Sequence, residues 1–215
     1  YPFIDFKFEK DLGQDILFVE SLSKKGLFSD ISFTLKRGDK VAFLSPNSNI
    51  LNALFAILAG EDENYEGKFK YGITVTPTYL PTENSKYFEG HTESLVDWLR
   101  PYSSDQHESY LRGWLFSGEE ALKPVNVLSG GEKVRCMMAK TMLTAGNLLI
   151  MNEPTNHLDL EAITALNKGM INYKGVLLFT THDHELMQTV ANRIIYIDEN
   201  SFLDKEMTYD EYLDL

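Results

Sequence analysis

The segment from Leu128 to Leu160 constrains the fold more than any other, because it joins two predicted helices through one short apolar strand. Apolar residues recur at helical spacing across residues 132–143. After Gly146-Asn147 comes an unbroken apolar run, Leu148–Met151, and the chain must turn at residues 152–154. A short apolar run of this kind is typical of a buried strand in a parallel sheet. A second helix is predicted to start after Asp159.

The two ends of this segment carry groups suited to phosphate chemistry. Gly130 and Gly131 precede a helix and leave backbone N–H groups bare at the positive end of its dipole, which suits an anion. Glu153 follows the carboxyl end of the predicted strand, where ligands of open α/β sheets bind. Its carboxylate is therefore placed to hold and polarise a water molecule.

Each of these features also has a purely structural interpretation. Ser129 and Glu132 match a capping box, and Asp159 matches an N-cap. Glu153-Pro154 matches a simple turn. All of these features together, in this order and spacing, are much less expected by chance than any one of them alone.

The order of these motifs resembles that of ATP-binding cassette (ABC) proteins. Residues 128–132 (LSGGE) resemble the ABC signature, and residues 148–159 (LLIMNEPTNHLD) resemble a Walker B strand followed by a D-loop, with Leu158 and Asp159 in the D-loop. The sequence EPTNHLD at residues 153–159 resembles that of the ABC-F subfamily more than that of transporter cassettes. ABC-F members are soluble tandem-cassette proteins that act on ribosomes. The resemblance implies an α/β, P-loop NTPase-like cassette with a mostly parallel core sheet, an antiparallel β subdomain and a small helical subdomain.

In the same frame, residues 45–53 occupy the place of the Walker A loop, between an apolar strand at 41–44 and an apolar helix. Ile50 puts a branched side chain where backbone should approach phosphate. Leu51 removes the ammonium group, and Asn52 replaces the hydroxyl that ligates Mg²⁺. We therefore expect this loop to keep the packing of a Walker A loop but not to bind phosphate. The nucleotide-binding positions that the resemblance implies here are Ser45, Asn47, Ser48, Asn49, Ile50, Leu51, Asn52 and Ala53.

The implied magnesium and catalytic positions are altered only in part. Asn152 replaces the Walker B aspartate, and Thr82 stands about where a family glutamine contacts Mg²⁺ but is too short to do so. Asn52, Thr82 and Asn152 are thus weak Mg²⁺ candidates. Glu153 remains as a candidate base, and His182 matches the histidine that senses the γ-phosphate.

A transition-metal site is the competing interpretation of the histidines. His182, Asp183, His184 and Glu153 have ligand chemistry, but neighbouring ligands from one strand end rarely converge on one ion.

The remaining elements are predicted from local pattern. Strands are expected at 16–20, 31–36, 175–180 and 193–197, and short antiparallel strands at 65–81. Phe28, the only aromatic residue available to stack on adenine between the first two strands, is expected to pack inward. Residues 91–127, with a helix at 105–116, form the expected helical subdomain. Residues 1–15 are interpreted as the end of an interdomain linker and residues 16–215 as the nucleotide-binding domain.

Composition limits the partners and the location. The chain has 215 residues, 43% hydrophobic and 24% charged, which is typical of a globular domain. A net charge of −12 makes it a poor stand-alone RNA binder. The short apolar runs exclude membrane insertion, and a single cysteine, Cys136, fits a reducing cytoplasm. Because Tyr1-Pro2 has no initiator Met before it, we expect either a fragment or a processed chain.

We therefore expect the second cassette of an asymmetric ABC-F-like protein. It would pair head to tail with another cassette, in the same tandem chain or a dimer, and possess a weak or absent site of its own for ATP and Mg²⁺. Ser129, Gly130, Gly131 and Glu132 would complete the partner's site in trans, and the ribosome is a further candidate partner. The alternatives are a working ATPase, a nucleotide-independent interaction module and the ATPase subunit of a transporter.

Overall fold

A computed structural model describes residues 4–8, 11–102 and 119–215 of the chain. The strands are β1 (Asp15–Lys24), β2 (Phe28–Lys36), β3 (Lys40–Leu44), β4 (Glu66–Tyr71), β5 (Pro77–Leu80), β6 (Leu148–Asn152), β7 (Val176–Thr180), β8 (Arg193–Ile197) and β9 (Phe202–Lys205). The α-helices are α1 (Ser48–Leu58), α2 (Leu95–Leu99), α3 (Gly130–Thr144), α4 (Leu160–Asn172), α5 (His184–Val190) and α6 (Tyr209–Leu213).

The strands form two sheets. The core sheet has the order β5-β6-β7-β3-β8-β9, and all its neighbouring strands are parallel except the pair β8 and β9. The second sheet is antiparallel, with the order β2-β1-β4. This arrangement matches the expected parallel core with an antiparallel subdomain.

Two hydrophobic clusters cover the two faces of the core sheet. In β6, Leu149 and Met151 belong to the first core cluster, which contains the buried residues of α3, α4 and α5. Leu148 and Ile150 belong to the second core cluster, which contains the buried residues of α1, β1 and β2. Because successive strand residues point to opposite faces, a strand buried on both sides needs an unbroken apolar run. The prediction of a buried parallel strand at Leu148–Met151 is confirmed.

The prediction for residues 65–81 is right for one strand and wrong for the other. β4 pairs antiparallel with β1, as expected, whereas β5 pairs parallel with β6 at the edge of the core sheet. The side chain of Asn147 fixes this edge, since it accepts from the Thr76 N–H at 2.7 Å and donates to the Thr74 carbonyl at 2.7 Å. A four-residue strand carries no pattern of its own that identifies its partner.

The described part of the helical region contains one short α-helix and several 3₁₀ turns. Between residues 91 and 127, the described residues form α2 and the 3₁₀ turns Arg100–Tyr102, Glu120–Leu122 and Val125–Val127. The predicted helix at 105–116 lies outside the described residues. Trp98 is a core residue, buried and stacked on Phe88 with ring centroids 4.7 Å apart.

The lead-in at residues 4–8 packs on the same core as the helices. Ile4 and Phe6 are buried in the first core cluster, and Phe6 makes an edge contact with Tyr173. The Lys7 N–H donates to the carbonyl of Met142, near the end of α3. Within the described residues, no helix combines the length and apolar character needed to cross a bilayer.

Candidate functional site

The start of α1 is capped by the protein's own side chains. The Asn47 side chain accepts a hydrogen bond from the Asn49 N–H at 3.0 Å, and the Asn47 carbonyl accepts from the Ile50 N–H at 3.1 Å. The Ser45 hydroxyl accepts from the Asn47 N–H at 3.2 Å. These N–H groups would otherwise be available to an anion at a helix N-terminus. Here they are already satisfied within the loop.

The side chains that replace the phosphate-binding residues point into the core. Ile50 is fully buried and Leu51 is 6% exposed, and both belong to the second core cluster. Ser48 and Asn49 are exposed, while Ala53 is partly buried. The helix therefore docks through Ile50 and Leu51, the residues that depart from the Walker A pattern.

A hydrogen bond joins the two positions that resemble magnesium ligands. The Asn152 side-chain amide donates to Asn52 Oδ1 at 2.7 Å. Asn152 Oδ1 accepts from the hydroxyl of Thr180 at 2.7 Å. Asn152 is only 4% exposed, so both ends of its amide are satisfied inside the protein.

The third magnesium candidate, Thr82, lines the same cavity as these two asparagines. The cavity has a volume of about 480 Å³ and also contains the Glu61 carboxylate, which is bound by Lys86 at 2.7 Å. Mg²⁺ prefers oxygen ligands that include one or two carboxylates. The amide pair is neutral, and Asn152 presents its N–H group, which has no lone pair for a metal, to Asn52. The residues at these positions therefore do not fit Mg²⁺.

Glu153 and His182, the two candidate catalytic residues, are brought together. His182 Nε2 lies 3.2 Å from Glu153 Oε1, and the His182 side chain is 91% exposed whereas that of Glu153 is 16% exposed. Burial raises the pKa of Glu153 above its usual value, and the charge of His182 opposes this increase. A carboxylate with a raised pKa beside a cleft has the properties of a general base.

The turn after β6 is held in an uncommon backbone conformation. Glu153 and His157 have φ angles of +50° and +62°, in the left-handed region that side chains rarely adopt. The Glu153 N–H donates to the Thr180 hydroxyl at 2.9 Å and to its carbonyl at 3.2 Å. A second cavity of about 50 Å³ lies beside Glu153 and His157, which is room for a water molecule, since one needs about 10–15 Å³.

The candidate signature residues begin α3, and two of them form the predicted capping box. The Ser129 hydroxyl accepts from the Glu132 N–H at 3.2 Å, and Glu132 Oε1 accepts from the Ser129 N–H at 3.0 Å, which completes a capping box. Space is open around Gly130 and Gly131, where an added Cβ would meet nothing within 4 Å. Lys123 binds Glu132 at 2.9 Å and, with the Ser129 N–H, lowers the pKa of Glu132.

The D-loop residues lead directly into α4. Asp159 caps this helix by accepting from the Ala162 N–H at 2.8 Å, and Leu158 packs partly against the first core cluster. Leu160, the next residue, is 76% exposed.

The structure also places three further residues that the sequence analysis named. Phe28 is buried, as predicted, and is not available to stack on a base. Cys136 is likewise a buried core residue, and burial raises its pKa to about 12. His184 binds the Tyr209 hydroxyl at 2.7 Å instead of facing His182. Across the part of the chain that the structure describes, no three His, Cys, Asp or Glu side chains are grouped to hold a metal ion.

Sequence reasoning missed two residues of this site. Lys123 contacts the signature, and Thr180 holds the turn that carries Glu153. Neither residue belongs to a motif, and their partners Glu132 and Glu153 lie 9 and 27 residues away in sequence. The only available signal was the position of Thr180 at the end of an apolar strand.

Residues 28–156 match the family described as ABC transporter. This chain belongs to that family. ATP and Mg²⁺ are the ligands that membership of the ABC family implies, and its cassettes pair with another cassette.

The relatives of this ABC domain include proteins from bacteria and plants. It is 53% identical, over its full length and 41% of the relative, to the ABC transporter ATP-binding protein YkpA of Bacillus subtilis. It is 28% identical to ABC transporter F family member 2 of Arabidopsis thaliana, over 94% of this chain and 31% of that protein. It is 29% identical to the energy-dependent translational throttle protein EttA of Escherichia coli K12, over 94% of this chain and 39% of that protein.

The chain thus spans about two fifths or less of the length of these relatives. Among solved structures, the RNase-L inhibitor superimposes with a TM-score of 0.74 at 20% identity, over 95% of this chain and 42% of that one. The predicted α/β ABC cassette class is confirmed.

Proposed function

We propose that this chain is an ABC-F-type cassette that lends its signature and D-loop to a nucleotide site built on a second cassette. Ser129, Gly130, Gly131 and Glu132 would contact a nucleotide held by the partner, and Leu158-Asp159 would contact the partner surface. Its own site would bind ATP and Mg²⁺ weakly or not at all.

The contrast between two helix N-termini carries this proposal. At α1, the N–H groups are bonded to Asn47, and the side chain of Leu51 lies in the core. At α3, Gly130 and Gly131 stand in open space at the start of a 15-residue helix. An anion gains from free N–H groups and from the helix dipole. Both helices are capped, but the backbone at Gly130 and Gly131 is open to an approaching phosphate, whereas the first turn of α1 carries the Ile50 side chain, which packs in the core.

Loss of the ion contacts explains why the chain's own site would be weak. Phosphoryl transfer depends on positioning and on electrostatic stabilisation by Mg²⁺ and a lysine. Leu51 supplies no charge, and the amide pair Asn52–Asn152 supplies no anionic ligand. The remaining pair, Glu153 and His182, would therefore have little bound nucleotide to act on.

The relatives support the biological setting of the proposal. An F family member and a translational throttle protein both align with almost the whole chain. We place the chain as the second cassette of a tandem protein, with residues 1–15 as the end of the linker and residues 16–215 as the cassette. The setting would be translation in the cytoplasm, with the ribosome as a candidate partner. The net charge of −12 favours a protein surface over exposed RNA as the point of contact.

A working ATPase is the second candidate, and the Glu153–His182 pair favours it. The two side chains lie 3.2 Å apart, and burial raises the pKa of the carboxylate, as a general base requires. This function would need a route for phosphate binding that does not use the N–H groups bonded to Asn47.

Calorimetry with Mg-ATP on this chain tests the first part of the proposal. No detectable heat of binding is expected, whereas binding in the micromolar range would favour the working ATPase.

Hydrolysis by the proposed tandem protein tests the second part. Ser129→Arg is expected to abolish ATP hydrolysis, because the larger cation would fill the space that the nucleotide needs. Leu51→Met, which preserves core volume, is expected to leave hydrolysis near the wild-type rate. The reverse pattern would refute the trans arrangement, and no effect of either variant would indicate a nucleotide-independent interaction module.

A further inference from the structure

The two side chains that resemble magnesium ligands contact each other directly. In P-loop NTPases, Mg²⁺ is held between a loop hydroxyl and the Walker B aspartate, and so links the first helix to the strand. The corresponding residues here are Asn52 on α1 and Asn152 at the end of β6, joined by a hydrogen bond of 2.7 Å. A direct link therefore occupies the place of a metal-mediated one.

Two further hydrogen bonds extend the link beyond Asn152. The oxygen of this amide accepts from the Thr180 hydroxyl at 2.7 Å, and the Thr180 oxygen accepts from the Glu153 N–H at 2.9 Å. The relay Asn52–Asn152–Thr180 thus runs from α1, across the ends of β6 and β7, to the backbone that begins the Glu153 turn.

We propose that this neutral relay takes over the structural role of the magnesium ion and holds residues 153–159 in place without nucleotide. The inference rests on the proposed function, in which the chain's own site does not take Mg-ATP. The turn and the D-loop are then kept permanently in position, and pairing with a second cassette depends only on the partner's nucleotide.

Burial and neutrality make the relay suited to this role. Asn152 and Thr180 are both buried, where the low dielectric strengthens hydrogen bonds and neighbouring bonds reinforce one another. An aspartate at position 152 would be a buried anion that needs a cation. The amide has no such requirement, and its oxygen and N–H group are both bonded. The link therefore persists whether or not a cation is present.

The conformation of the turn shows why it needs support. Glu153 and His157 both adopt left-handed φ angles, and non-glycine residues keep such conformations only where their surroundings hold them. The Thr180 hydroxyl supplies one of these bonds to Glu153. The Asn52 side chain is connected to residues 153–159 through the relay. Removal of this side chain should therefore loosen that segment.

Hydrogen–deuterium exchange measured by mass spectrometry tests the relay on this chain. In Asn52→Ala, exchange in residues 153–159 is expected to become about ten-fold faster, the scale of one lost buried hydrogen bond. The matched control is Asn172→Ala, which removes an exposed asparagine at the end of α4 and should leave that segment unchanged. In wild-type protein, addition of MgCl₂ and ATP should not alter the exchange rate.

A second variant separates loss of the relay from loss of folding. Asn52→Asp keeps an oxygen that accepts from the Asn152 amide, so in EDTA it should show wild-type exchange. If Asn52→Ala unfolds, Thr180→Val, which is close in shape and lacks the hydroxyl, tests the last two bonds of the relay and should also quicken exchange in residues 153–159.

The outcomes distinguish the relay from the proposed function. Wild-type exchange at residues 153–159 in Asn52→Ala, or in Thr180→Val, would overturn the relay and leave the trans arrangement standing. Slower wild-type exchange on addition of Mg-ATP would overturn both, because the site would then take the ion that the relay is inferred to replace.

Discussion

Replacement of Leu51 by lysine is the most direct test of whether the start of α1 retains a phosphate site. Leu51 stands where the resemblance to ABC proteins places the Walker A lysine, but it is 6% exposed and packs in the second core cluster. In a working site, a lysine here would reach a phosphate. In this structure, its ammonium group would lie among apolar side chains or would have to bend back towards water.

The expected cost follows from two contributions. Loss of a buried leucine side chain removes about 1.5–3 kcal/mol of transfer free energy. Burial of an unpaired ammonium group costs about 1.4 kcal/mol for each unit by which its pKa falls. Part of this cost is avoided if the lysine extends to the surface. We expect Leu51→Lys to lower the free energy of unfolding by about 3–5 kcal/mol, the range for an uncompensated buried charge.

Urea unfolding and thermal melting measure this loss against a matched control. Leu51→Met preserves volume and should cost less than about 1.5 kcal/mol. For a domain of this size, Leu51→Lys should lower the Tm by about 6–20 °C. The folded-state pKa of this lysine would lie below its unfolded value of about 10.4, so the unfolded state binds more protons between the two values. Its penalty should therefore be complete at neutral pH and should decrease as the pH rises towards about 10.4.

A lysine variant as stable as Leu51→Met would refute this reasoning, particularly if ATP or tripolyphosphate then raised its Tm. That result would show that residue 51 has access to an anion site. Burial of Leu51 would then no longer indicate that the start of α1 has lost phosphate binding.

The remaining predictions concern the signature, the lead-in and the candidate base. Lys123→Met should lower the free energy of unfolding by about 1 kcal/mol or less at pH 7. The lowered pKa of Glu132 contributes stability only while Glu132 is ionised, so this loss should vanish as the pH falls below about 4.3. Gly169→Ala should destabilise the chain, because the new Cβ would lie 2.7 Å from the carbonyl oxygen of Ile4. In a variant that lacks residues 1–8 the same substitution should be stabilising, because alanine favours helix over glycine by about 1 kcal/mol. His182→Ala should raise the pKa of Glu153 further, measured by carboxyl NMR titration, since His182 opposes the effect of burial.

Each of these predictions has a contradicting result. A Lys123→Met loss that is the same at pH 3 and pH 7 would exclude the ion pair with Glu132 as its cause. A Gly169→Ala effect of equal sign with and without residues 1–8 would show that the lead-in does not press on α4. An unchanged or lower Glu153 pKa in His182→Ala would mean that the histidine does not act on this carboxylate.

Much of the fold was predictable because its signals are local. The apolar run at Leu148–Met151 required a strand covered on both faces, and the glycines with Ser129 and Glu132 required a capped helix start. The partner of β5 was not predictable, because its pairing depends on Asn147, about seventy residues away in sequence.

The sequence by itself determined the chemistry of the candidate site. It showed a run that resembles the ABC signature and, at the candidate Walker A position, a loop with neither lysine nor glycine and with Asn52 in place of the hydroxyl expected there, since these are properties of residue type and spacing. Only the tertiary structure decided what the substituted residues do instead. Leu51 enters the core, and Asn52 contacts Asn152 from a hundred residues away. Hydrogen bonds between distant side chains depend on how helices and strands pack, and no local pattern encodes that packing.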